Sequence, residues 1–344
     1  MTARSLGQYY RTDGDTLERV YKEHLSGYYQ WKDRSHADRY LLFPENFGLH
    51  MCIDETSTKD GELFTILSNK EGHCRKGSIA AIISGTKVED VVSALMQVPE
   101  DVRKQVGEIT LDFSSSMAAI AEEAFPWAAR VLDRFHMQKM AIEAVNNLRL
   151  LHKREAIAAE NMARKAFRRK QKAKRTRMGK SQWFANRPLP QIKAFVPERL
   201  SNGDTLPELL ARSLYLLTMS PEKWTDRQKQ RAKLLFELYP DIKRVYGLTH
   251  SLRVIFSNKN ATKESARASL VEWYEKVAKV KNEDFNVLAE TLQQREDEVL
   301  NFFLYRSTNA QAEALNTKIK AFRAQLRGIV DLKFFLFRLT RIYA

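Results

Sequence analysis

Leu49-His50-Met51-Cys52-Ile53-Asp54 and, further along, Glu108-Ile109-Thr110-Leu111-Asp112-Phe113 decide the fold of this chain. Each is a short β-like run that ends on or near an acid. Two more runs of the same kind lie between them, Leu63 to Leu67 and Ile79 to Ser84. The first pair is separated by Lys59-Asp60-Gly61-Glu62, whose Asp-Gly step predicts a hairpin turn. A helical stretch follows, Val88 to Met96 and Val102 to Val106, with Val91, Val92, Leu95 and Met96 expected to face a sheet. After Asp112, a helix is expected over Ser116 to Ala124, with Met117, Ile120 and Ala121 on one face, stopping at Phe125-Pro126. Ala129 to Asp133 reads as a fifth strand. The order is β, β, β, α, β, α, β.

Outward from this block the pattern changes. Residues 1–48 read as a short helical lead-in, with Leu17, Val20, Tyr21, His24 and Leu25 at helical spacing before Pro44. From Met137 to about Tyr305 no strand pattern is evident, and Pro188, Pro190, Pro197, Gly203, Pro207, Pro221 and Pro240 punctuate a helical block. Helices are expected at Leu206 to Thr218, at Thr225 to Leu238 with a Thr225/Gln228 capping box, at Lys263 to Val280 and at Asp284 to Leu304. The tail, Asn309 to Tyr343, reads as one or two helices. In it Leu315, Ile319, Phe322 and Leu326 form an apolar stripe, and Glu313, Asn316 and Lys320 fall on another face. The organisation expected is a lead-in (1–48), a sheet-bearing core (49–140), a helical insertion (141–305) and C-terminal helices completing the core (306–344).

The charge points to a polyanion. The 344 residues contain 57 Lys and Arg against 42 Asp and Glu, a formal +15. The excess is concentrated in Arg149, Lys153, Arg154, Arg164, Lys165, Arg168, Arg169, Lys170, Lys172, Lys174, Arg175, Arg177 and Lys180, opposed there only by Glu155 and Glu160. A solvated helix face or a flexible basic loop explains many such runs; nucleic acid is favoured over a membrane because no accompanying Trp, Phe and Leu face is present. With 44% hydrophobic residues the chain should fold, and two cysteines are too few for a disulfide framework. No run of 18 apolar residues and no N-terminal apolar signal segment is found, so a cytoplasmic protein is expected.

Asp54, Asp112 and Glu313 stand out among the acids. If the first and fourth predicted strands are neighbours, Asp54 and Asp112 lie side by side, and a helix docking there can bring in Glu313. A carboxylate cluster repels itself unless cations neutralise it, and hard oxygen donors suit Mg2+ or Mn2+. Two such ions assist in-line phosphodiester displacement. His50, Cys52, His73 and Cys74 lack the spacing of a zinc site. Trp224 and Trp273 fit helix packing better than stacking on a base.

The chain resembles the DDE transposases of bacterial insertion sequences, within the ISL3 group and nearest its ISAon-type branch. The carrying stretches are Ile53-Asp54-Glu55-Thr56-Ser57, Lys76-Gly77-Ser78, Ile109-Thr110-Leu111-Asp112, Phe125-Pro126 through Asp133-Arg134-Phe135-His136, Arg306-Ser307-Thr308-Asn309-Ala310 with Glu313, Asn316 and Lys320, and Phe334 to Leu339. The resemblance implies an α/β fold, an RNase H-like mixed sheet (β-β-β-α-β-α-β-α) interrupted by a large all-α insertion before the last catalytic helix. It implies Asp54, Asp112 and Glu313 as metal ligands, transposon-end and target DNA as partners, two Mg2+ or Mn2+ ions and a homo-oligomer on DNA. Asp133, His136, Asn316 and Lys320 become accessory residues. Asp133 and His136 either contact DNA or orient a ligand, or form a local pair at a helix start; neither is read as a primary metal ligand. Lys318, Lys320, Arg323 and Arg327 join the basic run as phosphate contacts.

Two features depart from the pattern. Trp127 stands where a small polar residue commonly follows Phe-Pro, and the chain is expected to start close to the catalytic fold. End recognition would then fall to a separately encoded zinc-finger and helix-turn-helix protein. The rival readings are a structure-selective nuclease on the same fold and a retired transposase that only binds DNA.

Overall fold

The computed structural model describes residues 3–57, 61–180, 191, 193–326 and 328–344. Six strands form one mixed sheet: β1 (Tyr40–Leu42), β2 (His50–Ser57), β3 (Leu63–Asn69), β4 (Ile79–Ser84), β5 (Glu108–Leu111) and β6 (Ala129–Leu132), in the order β1-β4-β3-β2-β5-β6. The pairs β2–β3, β3–β4 and β1–β4 are antiparallel, whereas β2–β5 and β5–β6 are parallel. The parallel pairs need crossover connections, and the helical stretches between those strands supply them.

The predicted strand neighbours are therefore observed, with one addition. β1 lies inside the segment expected to be a helical lead-in, and its three residues are too few to show alternation. Tyr28, Ala37, Leu41 and Phe47 are buried, and Tyr28 packs on Phe334 and Phe337. The lead-in is thus part of the sheet-bearing unit. Within it α1 (Ala3–Tyr10) and α2 (Gly14–Val20) are short, and the expected helical spacing continues only as a π turn over Tyr21–Leu25. Of the predicted hairpin turn, Lys59 and Asp60 lie outside the described residues; Gly61 has φ +84°.

On one side of the sheet, α3 (Val88–Leu95) buries Val91, Ala94 and Leu95, and α5 (Ser115–Ala124) buries Met117, Ile120, Ala121 and Ala124; α4 (Glu100–Arg103) lies between them in sequence. The prediction for α3 holds for Val91 and Leu95. It fails for Met96, which is 46% exposed because the helix ends at Leu95, and Ala94 takes an inward place instead.

The chain divides into two compact units, the first Met1–His136, Ala261–Ala266 and Gln294–Ala344, the second Met137–Asn260 and Arg267–Gln293. The second contains most of α6 (Arg134–Gly179), then α7 (Leu206–Arg212), α8 (Leu214–Thr218), α9 (Asp226–Leu238), α10 (Pro240–Ser257), and most of α11 (Lys263–Val280) and α12 (Glu283–Gln294). Its core includes Leu209, Leu235, Val245, Leu252, Trp273 and Phe285. Trp273 is fully buried, with Nε1 donating to the Leu248 carbonyl at 2.9 Å. Trp224 donates to Leu216 and stacks on Tyr246, so both tryptophans are packing residues. The Thr225/Gln228 capping box is present, and Thr205/Glu208 forms another that the sequence reading did not pick out.

Two expected helices are broken, and one long helix was not foreseen. Leu206 to Thr218 is broken at Ser213, whose buried hydroxyl bonds back to the Leu209 carbonyl at 2.6 Å. Asp284 to Leu304 is broken at Arg295, giving α12 and α13 (Glu296–Tyr305). α6 is one helix of 46 residues where no single helix was assigned. Pro188 and Pro190 lie outside the described residues.

The remaining helices, α14 (Ala310–Gln325) and α15 (Leu332–Tyr343), cover the other face of the sheet. Leu315 and Ile319 of α14 join Phe64, Ile66, Ile79, Ile82, Phe335, Leu336 and Leu339 in one core cluster, against which Phe322 and Leu326 pack. The apolar stripe predicted for the tail is thus the inward face of α14.

Candidate active site

β2 and β5 pair in parallel with His50 opposite Glu108, Met51 opposite Ile109 and Cys52 opposite Thr110. Side chains alternate along a strand, so His50, Cys52 and Asp54 share a face with Glu108 and Thr110, and Asp112 follows at the next step. Asp54 also pairs with Ile66 and Thr56 with Phe64, which places this face under α14. Asp112 does follow the end of its strand. Asp54 does not: β2 continues to Ser57, while the β2–β5 ladder stops at Cys52 and Thr110. The acid therefore stands where two parallel strands part, held on its other side by β3.

α14 is fastened along this polar face. Ser307, just before the helix, donates to Glu108 Oε1. Glu108 is fully buried and also receives Lys70 Nζ at 2.9 Å, while Lys70 donates in addition to Thr110 Oγ1. One helical turn beyond Ala312, Asn316 Nδ2 donates to Asp54 Oδ2 at 2.8 Å and to the Glu55 carbonyl at 3.2 Å. The two residues from Cys52 to Asp54 advance about 6.6 Å and the four from Ala312 to Asn316 about 6 Å, so helix and strand can stay in step. Burial pushes the Cys52 thiol up to about 12, and the Ala312 amide beside it opposes that rise. Both cysteines are buried and free.

Glu313 sits in the first turn of α14, exposed, three residues before Asn316. Burial, chiefly, pushes Asp54 up to about 6; the charges of Asp112 and Glu313 add to the rise, and the Glu55 amide and His136 oppose it. Glu55 is also raised, by burial and then by Asp112. The structure thus brings Asp54, Asp112, Glu313 and His136 within electrostatic reach of one another. Asp112 Oδ1 accepts from the Ser114 amide at 2.8 Å, a turn that starts α5 and holds the carboxylate. Asp133, at the end of β6, is fully buried and accepts from His136 Nδ1 at 3.1 Å. That bond, first, and then the charges of Asp133, Asp112 and Glu313 raise His136 against its burial.

Oxygen donors crowded in this way fit a hard divalent cation. Burial raises the Asp54 carboxyl most, and the charges of Asp112 and Glu313 add to that rise. Asp133 Oδ1 is buried with no hydrogen-bond partner.

Residues 51–339 match the family model of ISL3-type DDE transposases, described as a transposase. The chain belongs to that family. No curated protein and no solved structure matches it. In this transposase, no helix among the described residues is long and apolar enough to cross a membrane.

The basic run is not uniform. From Arg154 to Arg177 its Lys and Arg residues are exposed on α6, Lys180 is exposed just past its end, and Lys153 is half-buried. Arg149 differs: it is 5% exposed, with Nη1 on the Leu210 carbonyl at 2.8 Å and Nη2 on Asn146 Oδ1 at 2.7 Å. All three of its nitrogens donate to partners inside the second unit, which sets it apart from the exposed part of the run. Arg164 is paired with Glu160 at 2.8 Å. On α14, Lys318 donates to the Cys74 carbonyl and Arg323 to the Ser57 carbonyl, while Lys320 is exposed. Arg327 lies outside the described residues. Trp127, the departure from the family pattern, donates to the Arg103 carbonyl at 3.2 Å, an interaction that packs the end of α5. Sequence reasoning missed Glu55, Glu108, Lys70 and Ser307. Counting back by twos from Asp112 was the available signal for Glu108.

Proposed function

We propose that the chain hydrolyses the phosphodiester at an insertion-sequence end and then joins the freed 3′-OH to target DNA, using Asp54, Asp112 and Glu313 as its catalytic acids. The observation that carries this reading is the bond from Asn316 to Asp54, because it ties the helix bearing Glu313 to the strand bearing Asp54 beside Asp112. In the first step a water oxygen bonds to phosphorus, the P–O3′ bond breaks and the 3′ oxygen takes a proton. In the second, that 3′ oxygen attacks a target phosphorus and the target's own 3′ oxygen leaves. Bound Mg2+ or Mn2+, two ions in this reading, would activate the entering oxygen and offset charge on the leaving one.

The protein's own groups prepare the site. Asn316 and the Glu55 amide each fix one oxygen of Asp54, and Ser114 fixes Asp112. The exposed bases of α6 would neutralise phosphates, and their affinity should fall steeply with salt. The helical unit would be the insertion that separates Asp112 from Glu313 in sequence. Membership of the ISAon-type branch, a separately encoded end-binding protein, an oligomer on DNA and association with the nucleoid belong to the same proposal.

The test is a joining assay with end-containing DNA and Mg2+ or Mn2+. Strand-transfer product that disappears in Asp112→Asn supports the reading, and product retained in that variant overturns the site. Cleavage of branched or hybrid DNA without need of element ends would identify a structure-selective nuclease instead. Salt-sensitive binding with no cleavage would identify a retired transposase.

A further inference from the structure

We propose that His136 and Glu313, with Asp133 behind the imidazole, form a mixed nitrogen and oxygen cation site that favours Mn2+ over Mg2+. It rests on the reading of Glu313 as a metal-binding acid and changes which residues share it. Ligand atoms of Asp133, His136 and Glu313 all lie within 4.8 Å of one another. Two donors of one ion stand up to about 4 to 4.5 Å apart, so the Glu313 carboxylate and the imidazole are near enough to share one after a small movement.

The local sequence sets the geometry. β6 ends at Leu132, α6 begins at Arg134, and His136 follows Asp133 by three residues, so its ring folds back on the carboxylate. Asp133 Oδ2 accepts from Nδ1, which places the ring proton there and leaves Nε2 with its lone pair free to bind a metal. A local pair at a helix start explains that one bond. It does not explain the approach of Glu313 from α14, which a cation held on Nε2 accounts for.

The donor set determines the preference. Imidazole nitrogen is a good ligand for first-row transition ions and a poor one for Mg2+, which prefers oxygen and retains its water. Glu313 acts electrostatically on Asp54 as well as on His136. It is therefore placed to be the carboxylate common to this site and to the Asp54 and Asp112 side.

The full chain, stripped of metal and loaded with Mn2+, should show 14N coupling in electron spin echo modulation, lost in His136→Gln. Calorimetric Mn2+ affinity should fall about tenfold or more in His136→Gln and in Asp133→Asn, the scale of losing a ligand or its orienting partner. Mg2+ affinity should change far less. Mn2+ binding without 14N coupling, equal weakening of both ions, or no Mn2+ binding at all would overturn the proposal. If His136→Gln does not fold, the wild-type spectrum alone decides. Failure of the transposase reading has a different signature, 14N coupling intact with no cleavage or joining of end DNA.

Discussion

Asp54→Asn tests the acid cluster without any DNA. Burial and its acidic neighbours hold the Asp54 carboxyl at about 6, against an ordinary 3.8. In the unfolded chain it loses its proton near pH 4, so between pH 4 and 6 the native state binds more protons than the unfolded one. Stability therefore falls as pH rises through that window, and the loss is complete above the folded value. Two units at about 1.4 kcal/mol each set an upper limit of about 3 kcal/mol, and screening at a partly exposed group brings it nearer 2. Asparagine removes this dependence at a fixed cost. Its amide must turn an N–H toward either the Asn316 amide or the Glu55 N–H, which costs about 1 to 3 kcal/mol at every pH. Urea unfolding of metal-stripped wild type and variant at pH 4.5, 5.5, 6.5 and 7.5 separates the two effects. The variant should be the less stable at pH 4.5 and should gain on wild type by about 2 kcal/mol by pH 7.5. Mn2+ at pH 7.5 should then stabilise wild type by about 2.7 kcal/mol at a hundredfold excess over its Kd, and the variant by much less. A difference that stays constant across pH, or equal stabilisation of both by Mn2+, would refute the reasoning.

Ser307→Ala leaves the buried Glu108 carboxylate without one donor, at a cost of about 1.5 to 3 kcal/mol. Cleavage should need more Mn2+ while circular dichroism is unchanged; unaltered Mn2+ dependence would mean that this clamp does not place Glu313. Arg149→Ala should lower the melting temperature of the helical unit while leaving the salt slope of DNA binding unchanged, because its donors already face Leu210 and Asn146. Replacing Arg168, Arg169 and Lys170 together by alanine should do the reverse, reducing the slope of log K against log salt by up to about 2.7 with little loss of stability. A fluorescence anisotropy titration at several salt concentrations separates these two. Thr225→Ala removes a capping box and should cost about 1 kcal/mol in thermal unfolding.

Strand neighbours were legible because β2, β5 and β6 are short apolar runs with an acid at a fixed place in each, and a sheet built from them has few plausible orders. The three residues of β1 carry no such pattern. α6 was illegible as one helix for a related reason: its second half is basic on nearly every side, so no apolar period marks it. Arg149 shows the limit of charge counting. It sits in the same basic run as Lys153 and Arg154, and only a carbonyl 61 residues away in sequence makes it an interior residue. Sequence separation hid the Ser307 to Glu108 bond in the same way, across 199 residues.

Glu108 nevertheless could have been found. Glu108-Ile109-Thr110-Leu111-Asp112 alternates polar and apolar, which in an exposed strand would mean one wet face. This strand lies between two others in the sheet, and Glu108, Thr110, Ile109 and Leu111 are all buried. A polar face inside a covered sheet requires a covering element that brings its own polar groups, because an unpaired buried carboxylate costs more than its packing returns. Lys70 and Ser307 donate to Glu108 and Asn316 to Asp54, and Ser307 and Asn316 belong to the segment that carries Glu313. The acids of the proposed site are thus held by the same requirement that makes the face polar: the segment that leads into α14 ties Glu108 through Ser307, and α14 itself ties Asp54 through Asn316.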